Sequence, residues 1–338
     1  MVISNIKLIP LIETLRLENI SDEIYFSEKF SNYISNSRLG LINPKQNGTP
    51  EKFFNGGFNG VSDSLIFGSA LHSIVLQPES YFICESVDRP TGKTGYIADY
   101  CYTNGNNPTD ELIGEAIKKY NYYKGITNES RISQLRCTCK DYWESRYNYE
   151  KSNLNDKIPI YLDTKSRSKI NSCLDSLKKD DKIQSILNTS FNEISANEQT
   201  ILLDVLVEIN GKEEFILKLK SKLDNYKILG NNISVNDLKT TGKYVDVFQE
   251  AINNFHYSRE IAMYSWLLSL CAKKFYNISK ANITGNFLVV STIPNYNTMV
   301  VPMTRKMFLQ GFEEFKTLTK LVAYYVKINP RYRNFTSL

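Results

Sequence analysis

Between Thr200 and Thr241 the chain reads "TILLDVLVEINGKEEFILKLKSKLDNYKILGNNISVNDLKTT". Three long runs rich in β-branched and apolar residues are separated by Asn210-Gly211 and by Gly230-Asn231-Asn232. An Asn-Gly pair between two such runs is a hairpin signal, because both residues accept the positive φ angles of a tight turn. Residues 200–240 are therefore expected to form an antiparallel meander, and the rest of the fold must be built around that sheet. The segments beyond it supply the flanks. A helix is expected from about Tyr257 to Phe275, a strand over 286–292, and a long closing helix after it.

The first half reads differently. Residues 1–60 suggest short helical pieces broken by the loop "NPKQNGTPEKFFNGGFNG". "SDSLIFGSALHSIVLQPESY" predicts a helix capped at Ser62 or Asp63 and ended by Pro78. Residues 88–109 read as a polar loop, followed by a helix from Asp110 to about Lys124. Residues 131–150 and 164–188 read as further amphipathic helices. The whole is an α/β layered sheet with helices on its faces. We read it as a single domain over 1–338, with a mostly helical part at 1–190 and the sheet core at 191–338.

Composition narrows the chemistry by exclusion. In 338 residues there are only two histidines, His72 and His256, which removes a histidine-rich zinc site and leaves few bases for a Ser-His-Asp triad. Six cysteines occur without a CxxC pair and read as free thiols of a reducing cytosol. The opening segment lacks a basic n-region and a small-residue cleavage site and reads as mature sequence. No apolar run is long enough to cross a bilayer. The net charge of +5 permits nucleic-acid binding without requiring it.

The candidate site lies in the meander. Asp237 and Lys239 are two residues apart in a strand, so both point to one face and Leu238 to the other. Such a pair is either solvated or half of a metal-dependent site. Asp224 sits near the end of the preceding run. Neighbouring strands about 4.8 Å apart can bring Asp224 and Asp237 together. Two carboxylates that close repel unless a cation lies between them, and hard oxygen ligands suit Mg²⁺ or Mn²⁺. Lys239 could then orient a water nucleophile or stabilise charge on a phosphate. His72 stands on an otherwise apolar helix, either as a satisfied core residue or as a further ligand. Tyr257, Glu260 and Tyr264 share one helical face, either as a core stripe with one solvated glutamate or as part of the site.

Four segments in order carry a resemblance: "YISNSRLGLINPKQNGTPEKFF", "FGSALHSIVLQPESY", "LKSKLDNY" with "VNDLKTT", and "FQEAINNFHYSREIAMY". Together they resemble the PD-(D/E)XK nuclease superfamily, and within it the phage RecE-like, RecB-type exonucleases (exodeoxyribonuclease VIII-like). The resemblance implies a restriction-endonuclease-like sheet and a Mg²⁺- or Mn²⁺-dependent exonuclease of linear duplex DNA. His72, Asp224, Asp237 and the Leu238 carbonyl would hold the ion. Lys239 would position the attacking water, and Tyr264 would contact DNA or the region of the scissile phosphate. Glu198, and after it Glu193, would be the extra acid that some relatives use, and Asp204 would face outward. Tyr257 and Lys222 would contact DNA, and the flexible basic loop with Arg89 and Lys93 is either a further lining of the DNA path or simply solvated. A homo-oligomer, a single-strand annealing partner and a phage recombination role in the host cytoplasm would follow.

Two departures stand out. Glu260 replaces the usual glutamine, and Lys222 replaces an arginine, keeping charge but losing its bidentate fork. The iron–sulfur branch of the family needs four bracketing cysteines, a pattern not present here. Glu260 keeps open a second possibility, an inactive nuclease-derived DNA-binding or virion protein. A nickase or endonuclease on the same core is a third.

Overall fold

The computed structural model describes residues 5–56, 61–105, 108–122, 127–153 and 156–336. Ten strands are present among them: β1 (Ile6–Pro10), β2 (Arg16–Glu18), β3 (Tyr33–Ile34), β4 (Tyr81–Ile83), β5 (Ile158–Ile160), β6 (Ile194–Ile209), β7 (Lys212–Leu229), β8 (Asn232–Thr241), β9 (Asn282–Ser291) and β10 (Thr298–Pro302). The helices are α1 (Asp22–Tyr25), α2 (Asn36–Gly40), α3 (Pro50–Phe54), α4 (Asp63–Leu76), α5 (Gly92–Asn104), α6 (Asp110–Lys119), α7 (Asn128–Ser152), α8 (Thr164–Lys179), α9 (Asp181–Leu187), α10 (Phe248–Asn254), α11 (Tyr257–Phe275) and α12 (Arg305–Ile328).

The chain divides into two compact units, one of residues 1–59 and 176–338 and one of 60–175. That partition differs from the division near residue 190 read from the sequence. The first unit holds a mixed, mostly antiparallel sheet in the order β1-β6-β7-β8-β9-β10, with β2 added to β6 and β3 to β7. Only the β3–β7 and β8–β9 pairs are parallel. The Asn210-Gly211 turn has φ of 52° and 81°, as a two-residue hairpin demands. After β8 the chain crosses through α10 and α11 before returning as β9, since parallel neighbours cannot be joined by a tight turn. The core of this unit runs along alternate residues of the long strands (Leu203, Val205, Val207, Leu217, Leu219) and meets Ile261, Leu267 and Leu268 of α11 and Phe315 and Val322 of α12.

The second unit is helical, with a small parallel pair β4–β5. It has its own core, in which Ile97 and Cys101 of α5 meet Ile113 of α6 and Leu135 and Trp143 of α7. Among the described residues no helix is long and apolar enough to cross a membrane.

Several expectations need correction. The amino-terminal segment is not purely helical, since β1, β2 and β3 complete the sheet. Their pairing partners lie nearly two hundred positions away in sequence, beyond the reach of local pattern. The stretch 164–188 is broken into α8 and α9 by Asp180, whose carboxylate accepts the Lys182 and Ile183 amides and caps α9. The helix expected to reach about Lys124 ends at Lys119, and Lys124 itself lies outside the described residues, as do 57–60 of the expected early loop. β10 was not anticipated.

The expected polar loop at 88–109 is mostly helix α5; its residues 106–107 lie outside the described residues. Gly95 serves close packing rather than flexibility. A Cβ there would stand 2.1 Å from the Pro90 carbonyl oxygen and 2.5 Å from Arg89 Nη1. We expect Gly95→Ala to destabilise the second unit by at least about 2 kcal/mol, read as a lowered urea midpoint of the full chain.

Candidate metal centre

The site begins where a ladder stops. β7 and β8 pair from Leu229–Asn232 up to Asn225–Asn236 and no further. One residue beyond that last pair stand Asp224 on β7 and Asp237 on β8. The Leu238 amide, which no longer has a strand partner on that side, donates instead to Asp224 Oδ2 at 2.8 Å. On the other flank of β7 the ladder with β6 runs through Asn197–Asn225 and Gln199–Leu223 and skips Glu198. Glu198 has φ of +52°, a left-handed conformation inside a strand. A carboxylate oxygen of Glu198 lies within 4.8 Å of one of Asp224. Three adjacent strands thus carry acids at one level.

The residues beside these acids point the other way and fix the register. Asn225 Nδ2 donates to Asn197 Oδ1 (2.7 Å), Asn236 Nδ2 to Asn225 Oδ1 (2.8 Å) and Asn286 Nδ2 to Asn236 Oδ1 (2.9 Å). This amide ladder ties β6, β7, β8 and β9 together on the opposite face of the sheet. Sequence reasoning missed it, although three of its four asparagines directly adjoin candidate acids.

Lys239 and α11 complete the arrangement. Lys239 Nζ lies 2.8 Å from Asp237 Oδ2 and 3.2 Å from Glu260 Oε2. The Tyr264 hydroxyl donates to Glu260 Oε1 at 3.1 Å. The Tyr257 ring centroid is 4.8 Å from the Lys239 ammonium. So Tyr257, Glu260 and Tyr264 all reach the level of Asp237 and Lys239 from one helical face. Burial, with Glu198 and Glu260 adding to it against the pull of Lys239, pushes the Asp224 carboxyl up to about 7. Burial raises Asp237 well above the carboxylate range too, aided by Glu260 and Asp224. Burial works against the Lys239 ammonium, but Asp237, Glu260 and Asp224 outweigh it and hold its pKa well above the usual lysine value.

This donor set fits a hard divalent cation. Lys239 is shared between Asp237 and Glu260, and Lys222 between Glu198 and Asp22. Asp237 Oδ2 is fully buried, and although Lys239 is near, no donor among the described residues is aligned on it. Carboxylate oxygens are the ligands Mg²⁺ and Mn²⁺ prefer.

Other expected residues fall elsewhere. Lys222 does not offer a free charge to DNA, because it is paired with Asp22 and, at 3.1 Å, with Glu198. Glu193 is held by Lys227 Nζ (2.9 Å) and by the Ser190 amide, as part of a loop clasp. Arg89 is buried and bonded to Asp99 at 2.7 Å, so it is no flexible loop contact; Lys93 lies in α5 and donates to the Asn121 carbonyl. Asp204 is only half-exposed, and burial raises its pKa against the pull of Lys218 and Arg16. His72 is carried half-buried on α4 in the second unit, and its role as a ligand stays an expectation from the resemblance.

The backbone strain at Glu198 has a measurable consequence. Only glycine takes that φ without penalty. Glu198→Gly is expected to be more stable than Glu198→Ala by about 1 kcal/mol in urea unfolding, both having lost the same carboxylate.

No protein-family model matches the chain. No curated protein matches its sequence. Among solved structures, an exonuclease candidate from Eubacterium rectale aligns over 94% of this chain and 86% of its own, with a TM-score of 0.44 and 12% identity. The protein SSO0001 aligns over 77% of this chain and 88% of its own, with a TM-score of 0.24 and 14% identity.

Proposed function

We propose that this protein is a divalent-metal-dependent deoxyribonuclease that degrades linear double-stranded DNA from an end. The observation that supports it most is that three adjacent strands carry Glu198, Asp224 and Asp237 at one level, with Lys239 paired to the buried Asp237. A Mg²⁺ or Mn²⁺ ion held there by Asp224, Asp237 and the Leu238 carbonyl would lower the pKa of water and offset charge on a phosphodiester. The residues of the chain supply the rest. Lys239 orients the attacking water and faces the negative charge that grows on the phosphoryl oxygens. Glu260 and Tyr257 hold the ammonium in place, and Tyr264 steadies Glu260. The Leu238 amide donates to Asp224 Oδ2 and fixes the orientation of that carboxylate. His72 as a further ligand, a homo-oligomer and a single-strand annealing partner in phage recombination extend this proposal on the resemblance alone.

Lys239 lies between two carboxylates, and that observation also favours a second reading, an inactive nuclease-derived DNA-binding protein whose lysine is neutralised by Glu260. End-labelled linear duplex incubated with and without Mg²⁺ separates the two. Mononucleotides or short oligonucleotides released only with the ion support the nuclease. Intact label with retained DNA binding supports the second reading. Closed-circular DNA in a parallel reaction stays intact if the enzyme needs an end and is cut if it is an endonuclease.

A further inference from the structure

Within the first unit, a groove of about 820 Å³ is lined by Phe26, Phe255, Arg38, Lys52, Lys220 and Ser35, among others. Two features set it apart. Its rim carries two large aromatic side chains facing water, Phe26 at 74% exposure and Phe255 at 59%. Its walls carry three cations, and no carboxylate among the described residues pairs with any of them. Lys220 is buried and donates to the Tyr25 carbonyl at 2.7 Å. Arg38 gives its N–H groups to the Ser31 and Phe53 carbonyls, and Lys52 to the Asn47 carbonyl. Burial, with Arg38 close by, lowers Lys220 to about 8.

Phe255 is not exposed by accident of a loose loop. It ends the turn between α10 and α11, and the next residue, His256, has φ of +56°. That strained residue is anchored, its Nδ1 lying 2.7 Å from Glu314 Oε1. The same glutamate oxygen accepts from Asn43 and Arg259. A non-glycine residue held left-handed by a buried polar network fixes where its neighbour points. Both rim aromatics also lead inward. The Phe255 ring is 5.6 Å from Tyr257, which faces Lys239, and the Phe26 ring is 5.0 Å from Tyr25, whose hydroxyl feels the charge of Glu260.

We propose that this groove holds a single-stranded nucleic-acid segment, its unpaired bases stacked on Phe26 and Phe255 and its phosphate chain drawn in by Arg38, Lys52 and Lys220. Exposed aromatics stack on any base, and uncompensated cations track a phosphate backbone, so the recognition is sequence-tolerant and salt-sensitive. The proposal rests on the nuclease reading for its purpose, which is to hold a frayed strand next to Lys239. It specifies that the strand at the site is single.

The test is binding of a fluorescein-labelled oligo(dT) by the full chain in EDTA, where no cleavage can occur. Phe26→Ala and Phe255→Ala are each expected to weaken binding about tenfold, within the range of one lost base stack. Phe255→Trp should keep the affinity and show quenched indole emission when the oligonucleotide binds. Binding within twofold of the parent for both alanine variants overturns the proposal. So does an unchanged indole emission, or inorganic pyrophosphate competing as well as the oligonucleotide, which would make the groove an anion site only. The two readings fail separately. Oligonucleotide bound through the phenylalanines without Mg²⁺-dependent cleavage leaves the groove standing and removes the nuclease. Cleavage without phenylalanine-dependent binding does the reverse.

Discussion

Lys239→Met is expected to lower Mg²⁺-dependent hydrolysis of linear DNA by about a thousandfold or more, the scale seen when a positioned charge at a reacting phosphate is removed. Methionine keeps the unbranched stem of the side chain and removes only its terminal ammonium, so the loss reports that charge rather than a large cavity. Asp237→Ala should be equally inactive for a different reason, since it removes a ligand and leaves Lys239 with Glu260 alone. Steady-state rates on end-labelled duplex, with circular dichroism to show that both variants stay folded, make the measurement. Rates within tenfold of the parent for both would mean that the Asp237–Lys239 pair is a buried ion pair of the fold and nothing more.

The second large effect is on stability. Asp224 and Asp237 both have raised pKa values in the folded protein. For Asp224 the window runs from 3.8 to about 7. Within it the folded chain keeps a proton that the unfolded chain has released. The unfolded state then binds fewer protons, so stability falls as pH rises. Below the unfolded value both states are protonated and the penalty vanishes. The shift corresponds to a loss of up to about 4 kcal/mol by pH 8 in metal-free protein. Mg²⁺ binds the deprotonated form and should restore about 3 kcal/mol at a hundredfold excess over its dissociation constant. Urea unfolding should therefore show a metal-free protein weaker at pH 8 than at pH 5, and a Mg²⁺ response larger at pH 8. Asp224→Asn should reduce the pH dependence, leaving the part due to Asp237, and remove most of the Mg²⁺ response, while raising metal-free stability at pH 8. A parent protein whose stability rises through this window and ignores Mg²⁺ would contradict the charge crowding described here.

Much of the sheet was legible because its signals are local. The Asn210-Gly211 turn and the alternation in β6, β7 and β8 need only neighbouring residues to be read. The helix over Tyr257–Phe275 has the same bounds in the structure, since its apolar stripe and its terminal lysines are contiguous in sequence. What depended on distant partners was hidden. β1 is a five-residue run whose strand character comes from pairing with Val205–Ile209. Helix α5 was misread because "TGKTG" looks like a loop, while Gly95 is there to admit the Pro90 carbonyl. At the site, spacing alone placed Asp237 and Lys239 on one face. It could not show that the β7–β8 ladder stops one residue short of Asp224, nor that Glu198 is turned out of register in β6. Lys222 illustrates the converse, for a lysine next to a catalytic motif looks available until the ion pairs that occupy it are seen.

The account depends on Asp224 and Asp237 sharing a divalent ion. Crystals grown or soaked in Mn²⁺ and measured at the manganese absorption edge test that directly. The prediction is a strong anomalous peak within coordinating distance of one oxygen from each of Asp224 and Asp237, absent from Asp237→Asn crystals treated alike. A fully exchanged crystal with no peak between these two carboxylates, or with manganese bound only at surface acids, would contradict it.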